Sequence, residues 1–275
     1  MHTERRPTRR LVPLSLTGAL ALTALAAPPA LADEVLADTV EIDIVGINDF
    51  HGRLSADGQV AGAAVLAGAV ASFRAENPST LFVSGGDNIG ASTFTSFIAD
   101  DVPTMDVLDM MGLDVSALGN HEFDRGRADL DDRVLPAVDF PYLAANIYET
   151  GTTTPAYDEY WVTDVDGVAV GFVGAITEDL ESLVSPSGIA TLDVGPMLPA
   201  VNRVADQLSD GDDANGEADV VVLLVHEGPT GTTEDVILGD SDFGDLLHGL
   251  SDAVDAVFSW HTHLAFVCQQ SRDGW

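Results

Sequence analysis

No lysine occurs anywhere in the 275-residue chain, and cysteine occurs once, at Cys268. Every basic side chain is therefore an arginine, and eleven of them stand against 45 acidic residues, a formal charge of −34. That balance excludes the basic surface by which proteins hold a nucleic acid polymer or an anionic membrane. It also repels a phosphate ligand from the molecule as a whole, an effect that salt largely screens. Positive charge must then be supplied locally wherever a phosphate is to bind. One cysteine excludes a disulfide framework. Long hydrophobic runs are missing too: the stretch from Leu11 to Ala27 is short and interrupted by proline, which argues against a membrane span.

What is present at the start of the chain has a different meaning. Arg5, Arg6, Arg9 and Arg10 precede the apolar stretch, and Ala30-Leu31-Ala32 follows as a small-x-small cleavage site. The pattern predicts a secretory signal peptide over 1–32 and one domain over 33–275, with no stable membrane span after cleavage and a secreted or cell-envelope location. Thr8-Arg9-Arg10-Leu11 is a loose twin-arginine pattern, and it leaves the Sec and twin-arginine export routes both open.

Short apolar segments rich in β-branched residues predict strands at Val40–Ile47, Thr80–Ser84, Val115–Leu118, Tyr142–Ala145, Tyr157–Thr163, Val168–Val173, Val220–Val225 and Val254–Ser259. Helical patterns lie between many of them, at Gly62–Phe73, Thr104–Met111, Leu130–Val134, Pro199–Leu208 and Phe243–Leu250. The alternation predicts an α/β layered domain. Asp166-Gly167 predicts a hairpin turn between two of the strands. The acidic stretch Ser209–Glu217 does not have the oxygen spacing of a calcium loop and reads as a solvated turn.

Five of these strands end in Asp, Asn or His within a few residues, and strand C-termini in such sheets are where ligands bind. The candidates are Asp49, His51, Asp87, Asn120, His226, His261 and His263. Such a mixture of imidazole and oxygen donors suits Mn²⁺, Fe or Zn²⁺. In an extended segment Asp49 and His51 point the same way and could share an ion; His261 and His263 have the same spacing but could also diverge on a turn. Two ions need a shared ligand, for which a carboxylate is suited, and Asp87 after Gly85-Gly86 is the best bridge. His248 falls in a helical pattern and reads as structural.

Asn48-Asp49-Phe50-His51-Gly52, Gly85-Gly86-Asp87, Gly119-Asn120-His121-Glu122-Phe123-Asp124, His226-Glu227-Gly228 and His261-Thr262-His263 together resemble the calcineurin-like metallophosphoesterases. The longer Gly-Asn-His-Glu-Phe-Asp string resembles the 5'-nucleotidase branch in particular. The resemblance implies a four-layer α-β-β-α sandwich in place of one doubly wound sheet. It implies two divalent ions, one on Asp49, His51 and His263, the other on Asn120, His226 and His261, with Asp87 shared. His121 is then implied as the catalytic group over the phosphate, oriented by Asp124, while Glu122 reads as a turn or supporting residue. The implied reaction is hydrolysis of a small phosphate ester, a nucleoside 5'-monophosphate in the full-length parent.

Two departures set further expectations. Trp260 stands where the family usually has glycine before the final His-Thr-His, which predicts crowding or an altered turn in that loop. Leu264–Trp275 does not read like the family's continuation, so the expected last strands and the C-terminal nucleotide-binding domain are missing. Truncation or frame-shift accounts for that. It predicts an open sheet edge and weak discrimination between phosphate esters. Cyclic-nucleotide or nucleotide-sugar diester cleavage, and an inactive metal-binding remnant, stay open as alternatives; oligomeric state is not legible.

Overall fold

The computed structural model describes residues 39–268 except Gln59. The signal peptide expected over 1–32 lies outside these residues, as do 269–275. The described residues form ten strands: β1 Asp43–Ile47, β2 Thr80–Ser84, β3 Val115–Ala117, β4 Tyr142–Leu143, β5 Ile147–Glu149, β6 Tyr160–Val165, β7 Val168–Ile176, β8 Leu192–Val194, β9 Val220–His226 and β10 Ala256–Ser259. They make two four-stranded sheets in the orders β1-β2-β3-β4 and β10-β9-β7-β6, plus the small antiparallel pair β5-β8. The first sheet is parallel throughout. In the second, β10, β9 and β7 are parallel and β6 joins antiparallel through a hairpin. Asp166 and Gly167 in that hairpin both have positive φ, as the predicted two-residue turn requires.

Side-chain alternation along each strand decides the layering. On β2, Leu81 and Val83 face the second sheet, where they join Phe172, Val222 and Leu224 in a core between the sheets. Phe82 points the other way, into a second core with Val70, Met105 and Leu108 from the helices Ala63–Glu76 and Val102–Met111. Val221, Leu223 and Val225 of β9 likewise face outward, against Val201, Val204 and Leu246. Two sheets face to face with helices on each outer side form the four-layer α-β-β-α sandwich. With both faces covered, β2 and most of β9 are buried from end to end, which is why they read as continuous apolar runs.

The helices follow from pattern and capping. In Met197–Gln207, Met197, Ala200, Val201, Val204 and Ala205 fall on one stripe and are buried. Pro199 was the expected start, yet the helix begins two residues earlier because proline is tolerated in a first turn. Ser241 caps Asp242–Gly249 by accepting the Gly244 N–H at 3.1 Å. His248, in that helix, donates from Nε2 to the Leu238 carbonyl at 2.9 Å, a structural role. The acidic stretch closes on itself: Glu217 accepts the Gly211 N–H, and Asp210 accepts from Asp212 and Asn215. No described helix is long and apolar enough to cross a membrane.

Trp260 corrects an expectation. Its side chain turns into the core between the sheets, only 5 % exposed and stacked on Phe258 at 5.9 Å. It does not crowd the loop that follows, because two glycines leave room for the indole. A Cβ on Gly46 would come within 3.2 Å of the ring, and one on Gly85 would lie 1.8 Å from it. Gly85→Ala is therefore expected to overpack the site and cost at least ~1–3 kcal/mol. Equilibrium denaturation checks this, and a loss within about 0.5 kcal/mol of zero would show that the indole moves aside freely.

Candidate metal centre

All the strand-end motifs converge on one site. Asp49 and His51 follow β1, Asp87 follows β2, Asn120 and His121 open the turn after β3, His226 ends β9, and His261 and His263 follow β10. Because β1, β2 and β3 are adjacent and parallel, and β9 and β10 likewise, the ends of both sheets deliver their side chains to the same edge of the sandwich. Five of these residues, Asp49, His51, Asp87, His261 and His263, have positive φ, out of nine non-glycine residues that do among the described residues. A left-handed backbone is unfavourable for residues with a Cβ. Its concentration here marks strain held in place for a purpose.

Three overlapping groups of potential ligand atoms form: Asp49, His51 and His263; His51, Asp87 and His121; and Asp87, His226 and His261. Within each, the atoms lie within 4.8 Å of one another. Asp87 Oδ2 lies 3.2 Å from His226 Nε2 and 3.8 Å from His51 Nε2, so one carboxylate faces both sides of the site. Asn120 Oδ1 lies 3.1 Å from the same His226 nitrogen. The Asp87 carboxylate approaches the next turn so closely that a Cβ on Gly119 would sit 2.2 Å from Oδ1. The glycine that this carboxylate needs is thus Gly119, while Gly85 makes room for the tryptophan.

The outer nitrogens of the histidines are already engaged. His51 Nδ1 donates to the Gly90 carbonyl at 2.9 Å, and His226 Nδ1 donates to the Gly85 carbonyl at 2.8 Å. Each bond fixes a tautomer with Nε2 turned into the site, the arrangement usual for metal-binding histidines. His121 Nδ1 donates to the Asp124 carboxylate at 2.9 Å. Its side chain is partly open to solvent, and that of His263 is 60 % exposed, so the centre is reached from this side.

The donor set asks for cations. His226 Nε2 lies 3.1 Å from Asn120 Oδ1, 3.2 Å from Asp87 Oδ2 and 3.2 Å from His261 Nδ1. One proton on that nitrogen cannot serve three acceptors, whereas a divalent ion among them can. Both Asp49 carboxylate oxygens are buried without a hydrogen-bond partner, a costly state for a group only 5 % exposed. Two divalent ions fit what these residues lack.

Electrostatics follow from burial and crowding. Burial pushes the Asp49 carboxyl up and the His51 imidazolium down. His226 is also buried, but the Asp87 and Asp49 carboxylates outweigh that and raise it to about 9. Burial opposes ionisation of Asp87, yet its bonds from His226 and from the His121 N–H hold it below the usual carboxylate range. The bond to Asp124 raises His121. Burial first, then His226, lowers His261.

Glu122, expected from the sequence as a turn or supporting residue, bonds to the backbone of two turns. It is 1 % exposed, and burial together with the nearby Asp87 charge raises its carboxyl to about 7. Oε2 accepts the N–H groups of Asp87 and Gly119, each at 2.8 Å, and Oε1 accepts that of Asn88 at 2.9 Å. A glutamate three residues after the residue that opens a helical turn is half of a capping box, and that was the legible signal.

Comparison with known proteins agrees with this architecture. The calcineurin-like phosphoesterase family model matches residues 42–265. A cell wall protein of Listeria monocytogenes, Lmo0130, is 32 % identical over 84 % of this chain and 34 % of its own. Endonuclease YhcR of Bacillus subtilis is 28 % identical over 82 % of this chain and 20 % of its own. The 5'-nucleotidase of Vibrio vulnificus is 28 % identical over 80 % of this chain and 40 % of its own. The chain thus spans at most two fifths of the length of these relatives. Among solved structures, calcineurin-like phosphoesterase YfkN from Bacillus subtilis superposes with a TM-score of 0.63 at 24 % identity, over 81 % of this chain and 72 % of that one. The sandwich, the strand-end ligands and the matched span have one common explanation: this chain belongs to the calcineurin-like phosphoesterase family and is related to the bacterial 5'-nucleotidases.

Proposed function

We propose that the chain is the catalytic part of a two-metal phosphoesterase that hydrolyses nucleoside 5'-monophosphates. The observation that carries this reading is Asp87, whose carboxylate stands between two histidine–aspartate groups. Asp49, His51 and His263 would hold one ion, Asn120, His226 and His261 the other, with Asp87 common to both. The donor set suits Mn²⁺, Zn²⁺ or iron. Bound, the ions supply the positive charge that a phosphoryl group needs in a protein this acidic, together with Lewis acidity toward water.

The chain's own residues do the rest. Asn120, beside His226, has an amide N–H₂ to offer a phosphoryl oxygen while its carbonyl faces the metal position. His121 holds one proton on Nδ1 against Asp124 and presents Nε2, from which a proton can pass to the departing alkoxide. Asp124 fixes the ring's tautomer and favours its charged form. The buried Asp49, Asp87 and His226 keep the reacting centre out of bulk water.

Relatedness to 5'-nucleotidases supports a nucleotide substrate, and a cell-wall relative together with the basic–apolar–small start of the chain supports a place outside the cytoplasm. Diester cleavage is the second reading, favoured by the likeness to an endonuclease, although the missing basic surface weighs against a polymer. Rates with AMP, p-nitrophenyl phosphate, bis(p-nitrophenyl) phosphate and single-stranded DNA, each with Mn²⁺ and with Zn²⁺, decide. Turnover of the monoesters, abolished by a chelator and restored by metal, is expected. Cleavage confined to the diesters would replace this reading with the second, and no turnover with any substrate would overturn both.

A further inference from the structure

We propose that Glu122 is a positioning residue for this centre: its buried carboxylate locks the turn after β2 to the turn after β3, so that Asp87 stands between the two ligand groups. The proposal rests on the two-metal reading above.

The bonds run across the chain. Asp87 and Asn88 belong to one turn, Gly119 to another, and all three N–H groups end on the same carboxylate at 2.8, 2.9 and 2.8 Å. Asp87 carries the shared side chain; Gly119 immediately precedes Asn120 and His121. A return contact closes the frame, because the His121 N–H donates to Asp87 Oδ1 at 2.8 Å. Hence one side chain sets the distance between the two turns. Removing it would leave these buried N–H groups without their acceptor.

An acid is required there, and an amide does not replace it. Both oxygens accept, Oε2 from two donors and Oε1 from Asn88 and, at 3.4 Å, from Ile89. However a glutamine is turned, its NH₂ faces at least one N–H donor. A carboxylate also places negative charge near Asp87, which is unfavourable unless cations are nearby. Ser116 offers a control. Its hydroxyl accepts from the Asn88 side-chain amide at 2.9 Å in the same buried region.

Glu122→Gln, Glu122→Asp and Ser116→Ala would be compared with the unaltered chain by metal titration, thermal melting and the electron paramagnetic resonance of the Mn²⁺-loaded protein. In Glu122→Gln the metal midpoint is expected to rise ~10–100-fold. The spin-coupled Mn²⁺ pair signal should give way to isolated Mn²⁺, and kcat should fall while KM stays within about twofold. Ser116→Ala should lower the melting temperature and leave the metal midpoint and the coupled signal alone. Unaltered metal affinity and coupling in Glu122→Gln would overturn the proposal; if that variant does not fold, the same result in Glu122→Asp would overturn it. Amide exchange of the unaltered, metal-free chain is an independent reading. Protection of the Asp87, Asn88 and Gly119 N–H groups supports the lock, and exchange at the rate of an open turn sinks it. Failure of the unaltered chain to bind a second ion would count against the two-metal reading instead, while the exchange result would still bear on Glu122.

Discussion

Asp87→Asn is expected to lower phosphatase kcat by at least ~10³-fold, about 4 kcal/mol of transition-state stabilisation, while the protein stays folded. The argument is geometric. Asp87 is the residue whose carboxylate faces both His226, at 3.2 Å, and His51, at 3.8 Å. Without it the two metal positions lose their common ligand and the negative charge that keeps two divalent ions tolerable at short range. Asparagine is preferred to alanine because it keeps the shape and an acceptor for the His121 N–H at 2.8 Å, which separates loss of the bridge from collapse of the turn. Metal analysis should fall from two ions per chain to one or none. A variant that retained both ions and near-normal turnover would show that Asp87 is not the bridge.

The second large effect is expected at His121. Replacement by alanine should reduce kcat ~10²–10⁴-fold, the range for losing a positioned acid or base. Metal content should remain unchanged. His121 differs from the other site histidines in being bonded to a carboxylate side chain through Nδ1, and it is partly exposed, which leaves Nε2 available to substrate. It nevertheless falls in one grouping with His51 and Asp87, so a role as metal ligand is the competing account. The variant separates the two, because a ligand takes an ion with it when removed. The leaving group adds a finer test. If His121 delivers a proton to the departing oxygen, the loss should be larger with AMP than with p-nitrophenyl phosphate, whose leaving group needs little protonation. Equal losses would assign the residue to stabilising charge on the phosphoryl oxygens.

Which features could be read before the fold was known follows from chemistry. Metal donors are few in kind, so Asp49, His51, Asp87, Asn120, His226, His261 and His263 stood out at the ends of apolar strands, and tertiary structure brings all seven to one site. Strand positions were legible because runs such as Val220–Val225 are covered on both faces, and the hairpin because Asp166-Gly167 accepts positive φ. Boundaries moved where local rules competed, as at Pro199. The short strands β5 and β8 and the four-residue helices at Phe94–Phe97, Leu180–Leu183 and Glu234–Ile237 carried too little pattern to be recognised.

Periodicity alone could not say that the strands divide into two sheets, since a strand buried on both faces looks the same inside one sheet or two. That came from resemblance, and the three separate cores now give its physical basis. The direction of Trp260 and the bonds of Glu122 to the turn at Asp87 were beyond reach for a related reason. Each depends on backbone from another part of the chain, Gly46 and Gly85 for the indole, and the turn at Asp87 for the carboxylate. The amino-acid sequence by itself determined which donors exist, how they are spaced along the chain, and that positive charge has to be supplied locally in a lysine-free, acidic protein. Tertiary structure alone decided that Asp87 faces both ligand groups and that Asp49 is left with two buried, unpartnered oxygens, because convergence and burial belong to segments that meet only when the two sheets pack.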